Sequence, residues 1–343
     1  MKPQVRHLRN LILLLILAAG TIGILWNHNR PATWHTMQGH IYGTTYHITY
    51  QSPQNLDKTI GETLQSVDRS LSAFNPQSTL SRINRNETQE TDTLFRRLFY
   101  TAQHVSQTTR GAFDITVGPL VNAWGFGFKN KENVTQALID SLLQFTGYTK
   151  IHINGKKQLV KEHQGIQLDC SAIAKGLGCD LVAEEMQKHK IRNFLIEIGG
   201  EIRASGNNKE GHTWTIGVVK PEEQADSTLA NPIQTVLSLT NTALATSGNY
   251  RNFYIEGDKK YAHTINPHTG QPIQHSLLSA TIIAPTCTEA DAYATASMVM
   301  GLQSAVEILK SEPGILWYFI YQDEDGQEKA MYSPELEPHI VRQ

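Results

Sequence analysis

The sequence predicts an α+β fold, in one large domain or two intimate lobes. The 343 residues are 40% hydrophobic and 18% charged, with a formal net charge of -2. This composition is typical of a globular chain long enough for a sizeable core, and it gives no indication of nucleic-acid binding. Runs rich in β-branched and aromatic residues are mixed with segments of helical periodicity. Several neighbouring strands are separated only by short turns, which favours α+β over a doubly wound α/β sheet.

Residues 1–27 have the features of a targeting segment. Lys2, Arg6 and Arg9 precede an uncharged run from Asn10 to Asn27, and a basic segment before an apolar one is typical of a secretory signal. No A-x-A cleavage site stands out, which favours an uncleaved signal-anchor. The positive-inside rule then places the following residues across the bacterial inner membrane, in the periplasm. We expect residues 28–36 to be a linker and residues 37–343 to form the globular domain.

The first half of the domain predicts two strands and three helices. His40–Tyr50 reads as a strand with a kink at Gly43, because it is rich in β-branched and aromatic residues. Apolar residues at helical spacing predict the helices Leu56–Leu71, Thr93–Thr109 and Val134–Phe145. Ser81–Asn86 is predicted to be a polar loop and Gly147–Ile153 a short strand. Gly111–Gly127 contains too much glycine and proline for a long regular element.

In the second half, glycine-rich turns separate a strand, a helix and a further strand. The first strand is Ile166–Leu168, the helix is Leu177–His189 and the second strand is Asn193–Ile198. Extended chain continues at Glu201–Ala204, after Gly199-Gly200. Further strands are predicted over residues 213–219, Thr235–Thr240, Ala243–Thr246 and Gly314–Tyr321, the last of which closes the fold after a helix at Leu302–Lys310. Pro221–Pro232 reads as an exposed excursion, and Tyr261–Gly270 as a loop.

The stretch from Thr281 to Gly301 predicts a strand end followed by a helix of small residues. Thr286 and Glu289 have the spacing of a capping box, and Gly301 is the expected C-cap. Asp291 and Thr295 are four residues apart and therefore share one face of the helix. A carboxylate and a hydroxyl beside alanines could hold a hard cation. The alternative, favoured by this stretch alone, is that Asp291 complements the helix dipole while Thr295 packs.

Three other candidates each leave two readings open. Asp169–Gly176 could seat a phosphate at a helix start, with Lys175 as its cation, or could be a simple tight turn with a solvated lysine. His263 could be a general base or a structural hydrogen-bonding residue. Asp114 could bind a hydroxyl group or cap the turn that follows it.

Taken together, these stretches resemble the ApbE family, the FAD:protein FMN transferases. The resemblance covers nearly everything after residue 38, and so many motifs in the family's order make it specific. The motifs are Gly43-Thr44-Thr45-Tyr46, Leu71–Asn84, Gly111–Gly127, Leu168–Gly176, Ile198–Glu201, Ala245–Arg251, His263–Gly270 and Ala284–Gly301. The resemblance implies a two-lobed α+β fold related to the T-fold, and Mg²⁺-dependent transfer of FMN from FAD to a threonine hydroxyl with release of AMP. It also implies acceptors among the flavin-carrying subunits of membrane redox complexes, such as Na⁺-pumping NADH:quinone oxidoreductase and Rnf-type complexes.

The resemblance also implies roles for individual residues. The Mg²⁺ ligands would be the Ala172 carbonyl, Asp291 and Thr295, and His263 would be the candidate base. The FAD contacts would come from Tyr42, Phe74, Ala112, Phe113, Asp114, Asp169, Lys175 and Ile265. The chain departs from the family pattern at Tyr42, where methionine is usual, and at Phe74, where tyrosine is frequent. The lipoprotein cysteine of many members is absent.

Two alternative functions use the same residues. In a Mg²⁺-dependent FAD pyrophosphatase, water would replace the threonine hydroxyl and the products would be FMN and AMP. In a membrane-tethered flavin-binding or storage protein there would be no catalysis. The intact pair of Asp291 and Thr295 favours the catalytic readings, because simple flavin binding does not need a metal.

Overall fold

The structure of the chain is a computed structural model that describes residues 12–14, 17, 32–127, 134–221, 233–249, 253–256 and 259–341. The predicted targeting segment, residues 1–27, therefore lies almost wholly outside the described residues, as does most of the excursion Pro221–Pro232. Among the residues that are described, none of the helices combines the length and the apolar character needed to cross a bilayer.

The strands of the described chain are numbered in sequence order. They are β1 (Thr33–Ile41), β2 (Thr44–Ser52), β3 (Ile151–Ile153), β4 (Leu159–Lys161), β5 (Phe194–Ile198), β6 (Glu201–Ser205), β7 (Trp214–Val219), β8 (Ile233–Leu239), β9 (Thr242–Gly248), β10 (Phe253–Glu256), β11 (Lys259–Ala262), β12 (Leu277–Ala284), β13 (Leu316–Gln322), β14 (Glu328–Tyr332) and β15 (Ile340–Val341).

The α-helices are numbered in the same way. They are α1 (Asp57–Leu71), α2 (Thr79–Asn84), α3 (Thr93–Thr108), α4 (Gly118–Ala123), α5 (Gln136–Leu143), α6 (Ser171–Lys188), α7 (Cys287–Met300) and α8 (Leu302–Leu309). Short 3₁₀ helices lie at Ile115–Val117, Tyr148–Lys150 and Pro334–His339.

The centre of the fold is an eight-stranded sheet in the order β1-β2-β5-β6-β9-β12-β13-β14. Every pairing between its neighbouring strands is antiparallel. A mixed helix-and-strand fold around an antiparallel sheet is the predicted α+β class. The two-lobed arrangement that the resemblance implies stays a prediction.

The two faces of the central sheet bury different partners. Ile282 and Phe319 belong to the core shared with the helices, whereas their neighbours Ile283 and Ile320 pack against the small sheet β15-β8-β7. This alternation follows from the two-residue period of a strand. Because α6 and α7 lie on the helical face, their N-terminal halves meet beside the turn between β5 and β6, where the cavity described below opens.

The predicted single strand His40–Tyr50 is wrong, because this segment belongs to a hairpin. β1 and β2 pair along their full length and turn at Tyr42-Gly43, with φ of 53° and 75°. Two positive φ values are typical of the tight turns that match strand twist. β1 already begins at Thr33, so the last residues of the predicted linker 28–36 are strand.

Three other local predictions need correction. Most of the predicted polar loop Ser81–Asn86 lies in α2, which begins after Ser78, whose hydroxyl accepts a hydrogen bond from the Ser81 N–H (2.9 Å). Ile166–Leu168 is not a paired strand, and the backbone of Leu168 bonds instead to the side-chain amide of Asn84. Helix α6 begins at Ser171 rather than Leu177.

The chain also continues to pair after β13, which was predicted to close the fold. β14 adds an edge strand to the central sheet, and β15 adds one to the small sheet. The remaining predicted helices and strands of the described chain are present, with ends shifted by a few residues.

Candidate functional site

Helix α6 touches the first turn of α7 through its backbone at Gly176. A Cβ atom on Gly176 would lie 2.3 Å from the carbonyl oxygen of Cys287, so this approach requires glycine. The two helices form one wall of a cavity of about 380 Å³.

Two side chains hold the N-terminus of α7 in place. Asp180 of α6 accepts hydrogen bonds from the Cys287 and Thr288 N–H groups, each at 2.9 Å, and from the Thr288 hydroxyl at 2.6 Å. The Thr286 hydroxyl accepts from the Glu289 N–H (3.2 Å) and donates to the Glu289 carboxylate (2.7 Å). The predicted capping residues are therefore confirmed, although the Glu289 side chain reaches the hydroxyl of the cap rather than its N–H. The sequence did not single out Asp180.

Asp291 lies on the next turn of α7 and is only 4% exposed. Its Oδ2 accepts a hydrogen bond from the Gly176 N–H at 3.0 Å. In a regular helix this N–H donates to the carbonyl four residues earlier, which is that of Ala172. Asp291 thus competes for the donor that would otherwise engage the Ala172 carbonyl. Burial raises the pKa of Asp291, and the positive charge of Lys175 acts against that rise.

Lys175 lies between two buried carboxylates. Its Nζ is 3.7 Å from Oδ2 of Asp291 and 3.5 Å from Oε1 of Glu201, and it donates a hydrogen bond to the Ser171 carbonyl at 3.1 Å. Burial alone would lower the pKa of Lys175, but the charges of Asp291 and Glu201 outweigh it and raise the pKa above its usual value. The ammonium therefore stays charged in the cavity wall.

Glu201 is a site residue that sequence reasoning missed. It follows the Gly199-Gly200 turn as the first residue of β6, is 4% exposed, and lines the cavity. Its Oε2 atom is buried and has no hydrogen-bond partner among the residues that the structure describes. Burial raises the pKa of Glu201, against the opposing charge of Lys175. The signals in the sequence were its place in the motif Ile198–Glu201 and its position directly after two glycines.

Ten of the twelve residues to which the resemblance assigns a role line this cavity. They are Ala112, Phe113, Asp114, Asp169, Ala172, Lys175, His263, Ile265, Asp291 and Thr295. The other two, Tyr42 and Phe74, line a second cavity of about 220 Å³. Asp169 and Lys175 line both cavities, so all twelve residues surround one continuous region of the surface.

Two of these residues use their polar atoms within the fold. Asp114 accepts hydrogen bonds from the Thr116 N–H, the Thr116 hydroxyl and the Tyr148 N–H, each at 2.7 Å. Of its two open roles, the structure therefore shows the cap, and burial raises the pKa of its carboxyl. The Tyr42 hydroxyl donates to the Leu64 carbonyl at 2.6 Å.

Two aromatic side chains, Phe74 and His263, line the cavities and are at least partly exposed. Phe74 is 76% exposed beside the second cavity. His263 is half-buried, and its ring meets that of Phe126 edge-on with the centroids 6.4 Å apart. Both rings are placed where a bound molecule can reach them.

The oxygen atoms beside Asp291 suit a hard divalent cation. A buried carboxylate, the Thr295 hydroxyl and a carbonyl in the first turn of α6 are the ligand types that Mg²⁺ prefers. Mg²⁺ commonly keeps several waters and binds substrate phosphates, so it needs only a few protein ligands. The competition of Asp291 for the Gly176 N–H favours coordination by the Ala172 carbonyl. These residues therefore fit the metal that the resemblance implies.

Comparison with known proteins gives a consistent result. The model of the ApbE family matches residues 42–319. A FAD:protein FMN transferase of Haemophilus influenzae is 35% identical over 307 residues, which is 85% of this chain and 87% of the relative. A FAD:protein FMN transferase of Vibrio cholerae is 34% identical over 331 residues, which is 93% of this chain and 97% of the relative.

Solved structures are similar over the same length. The flavin transferase ApbE from Vibrio cholerae superposes with a TM-score of 0.79 at 33% identity, covering 90% of this chain and all of that one (100%). The ApbE protein from Thermotoga maritima has a TM-score of 0.77 at 27% identity, with 90% and 99% coverage.

Proposed function

Because the chain belongs to the ApbE family, we propose that it transfers FMN from FAD to a threonine hydroxyl of a partner protein, with Mg²⁺, and releases AMP. Its relatives are FAD:protein FMN transferases, so the chain is a transferase and FAD is its substrate. The finer parts of the proposal are the metal, the acceptor group and the second product.

One observation carries these finer parts. Asp291, Thr295 and Ala172 line the same cavity as Lys175, at the N-terminus of α6. Hard oxygen ligands beside an ammonium and a helix N-terminus form a suitable place for a pyrophosphate and its cation.

Each residue has a role that follows from its position. Bound Mg²⁺ would neutralise the charge that builds on the pyrophosphate oxygens as the bond breaks. Lys175 would pair with a phosphate oxygen and orient it. His263 would accept the proton of the threonine hydroxyl. The threonine oxygen would form the new bond to the phosphorus of the FMN phosphate, while the bond from that phosphorus to the AMP oxygen breaks. Phe74 offers an exposed ring against which the flavin can stack.

The test is incubation of the purified protein with FAD, an acceptor subunit and Mg²⁺, followed by mass spectrometry of the acceptor and quantification of AMP. The proposal requires a covalent FMN adduct on a threonine, one AMP per adduct, and loss of both when the metal is chelated. Free FMN and AMP without an adduct would identify a pyrophosphatase instead. The absence of AMP would indicate a flavin-binding protein without catalysis.

The partners and the location are part of the same proposal. We propose that the acceptors are subunits of membrane redox complexes of the Na⁺-pumping NADH:quinone oxidoreductase or Rnf type. Residues 1–27 would anchor the enzyme to the bacterial inner membrane, with the catalytic domain in the periplasm. Co-expression with a candidate acceptor, read by in-gel flavin fluorescence in separated membrane and periplasmic fractions, tests both points.

A further inference from the structure

Lys175 is not committed to either of the carboxylates beside it. The distances of 3.7 Å to Asp291 and 3.5 Å to Glu201 are both longer than an ordinary charge-assisted hydrogen bond. Its one short contact with the described residues is the bond to the Ser171 carbonyl, one turn earlier in α6. A small rotation of the lysine stem could therefore move the ammonium toward either carboxylate.

Glu201 has the capacity to receive that ammonium. Its buried Oε2 lacks a partner within the described part of the chain, while its Oε1 already faces Nζ of Lys175. A buried oxygen without a partner is costly. A shift of Lys175 toward Glu201 would give both oxygens of this carboxylate a positive neighbour.

A cation bound at Asp291 would favour the movement of Lys175 toward Glu201. The ammonium and a divalent ion at Asp291 would repel each other strongly at such distances in a buried site. If Lys175 had no other carboxylate to pair with, it would remain near Asp291 and oppose the metal. Glu201 provides this alternative partner without leaving the cavity wall.

We propose that Glu201 is a positioning residue that draws Lys175 away from Asp291, so that the metal can bind Asp291 while the ammonium stays beside the substrate phosphates. This inference rests on the proposed function, because it takes Asp291 as a metal ligand. It adds a role for Glu201, which acts on the metal only through Lys175.

The experiment measures the affinity for Mg²⁺ alone by isothermal titration calorimetry, in four forms of the full chain. These are the unmodified protein, Glu201→Gln, Lys175→Met and the double variant. Glu201→Gln should weaken Mg²⁺ binding about tenfold, which is the usual effect of losing a residue that supports a metal ligand. Lys175→Met should strengthen binding, because the competing ammonium is gone. In the Lys175→Met background, Glu201→Gln should change the affinity by less than about twofold.

Glu197→Gln is the matched control. Glu197 lies on β5 close to the same turn and accepts a hydrogen bond from the Gly200 N–H, but its side chain is not part of the cavity wall. The Glu197→Gln variant should have the same Mg²⁺ affinity as the unmodified protein. Circular dichroism of each variant confirms that it is folded. If Glu201→Gln does not fold, Lys175→Met decides, because weaker Mg²⁺ binding in that variant overturns the inference.

The remaining outcomes separate this inference from the proposed function. An unchanged affinity in Glu201→Gln, or the same loss in both lysine backgrounds, overturns the role through Lys175 and leaves the transferase proposal intact. Asp291→Asn serves as the reference for the metal site. If that variant binds Mg²⁺ normally, the metal assignment fails and the role of Glu201 fails with it.

Discussion

Asp180 and Asp291 are two aspartates at the same junction of α6 and α7, and both are 4% exposed. Asp180 accepts three hydrogen bonds at 2.6 to 2.9 Å from the first turn of α7. Asp291 accepts one at 3.0 Å from Gly176, and its nearest cation, Lys175, stays 3.7 Å away. Burial raises the pKa of both carboxyls. The two side chains are equally buried but differ in their hydrogen bonds. Asp180 therefore supports the structure of the site, whereas Asp291 is left available for a ligand.

The largest effect is expected for the available carboxylate. Asp291→Asn keeps an oxygen for the Gly176 N–H but removes the charge, so FMN transfer should fall about a thousandfold, since a metal contributes several kcal/mol to such a step. The free energy of unfolding should stay within about 1 kcal/mol of the unmodified value. Acceptor labelling in parallel with urea denaturation measures both quantities. Full transfer activity in this variant would reject Asp291 as a metal ligand.

His263 tests whether a residue at the rim acts in the chemistry or only in binding. His263→Ala should slow transfer about a hundredfold, as expected for loss of a general base. The affinity for FAD should change by less than about threefold, because the rest of the cavity wall is untouched. Single-turnover labelling and a fluorescence titration with FAD separate the two effects. Equal losses in rate and affinity would make His263 a binding residue.

Asp180→Asn should lower the stability and spare the metal site, which is the opposite of the result expected for Asp291→Asn. An asparagine offers one oxygen where α7 uses two, so a buried N–H loses its acceptor and the protein should be destabilised by about 2 kcal/mol. Below the unfolding transition, the folded enzyme should keep its Mg²⁺ affinity. Urea denaturation and calorimetry check the two parts. A loss of Mg²⁺ affinity with unchanged stability would show that the comparison of the two aspartates is wrong.

The smallest effect is expected at Tyr42, a predicted FAD contact whose hydroxyl is already used. Tyr42→Phe removes the hydroxyl that donates to the Leu64 carbonyl and should cost about 1 kcal/mol of stability. FAD affinity should not change. Phe74→Ala is the matched variant, since this exposed ring should matter for FAD and not for stability. If Tyr42→Phe weakens FAD binding as much as Phe74→Ala does, the tyrosine contacts the flavin nucleotide directly.

Elements whose signal is local were predictable from the sequence. Ile60, Leu64 and Val67 lie on the buried face of α1 at the helical spacing that predicted it. Gly301 ends α7 with a φ of 75°, as its position indicated. The hairpin between β1 and β2 was missed because its turn, Tyr42-Gly43, lacks the Asn-Gly or Asp-Gly pair that marks such turns.

The site was predictable only as a set of segments. No sequence spacing shows that the Gly176 N–H meets Asp291 across 115 residues, or that Asp180 holds a helix start 107 residues away. Glu201 was missed for the same reason, because its significance depends on its distance to Lys175. The sequence could propose Asp291 and Thr295 as ligands, but only tertiary contacts distinguish Asp291 from Asp180.

The backbone contact between Gly176 and Cys287 has a consequence for motion. In the described part of the chain, the atoms nearest to the position of a Gly176 Cβ are backbone atoms of Cys287 and Thr288, so the two helices meet here backbone to backbone. One close contact between the two helices therefore places Asp291 beside the Gly176 N–H, which favours a site that keeps its shape when a ligand binds. The adjustable part is the long stem of Lys175, which can change rotamer without any movement of the two helices.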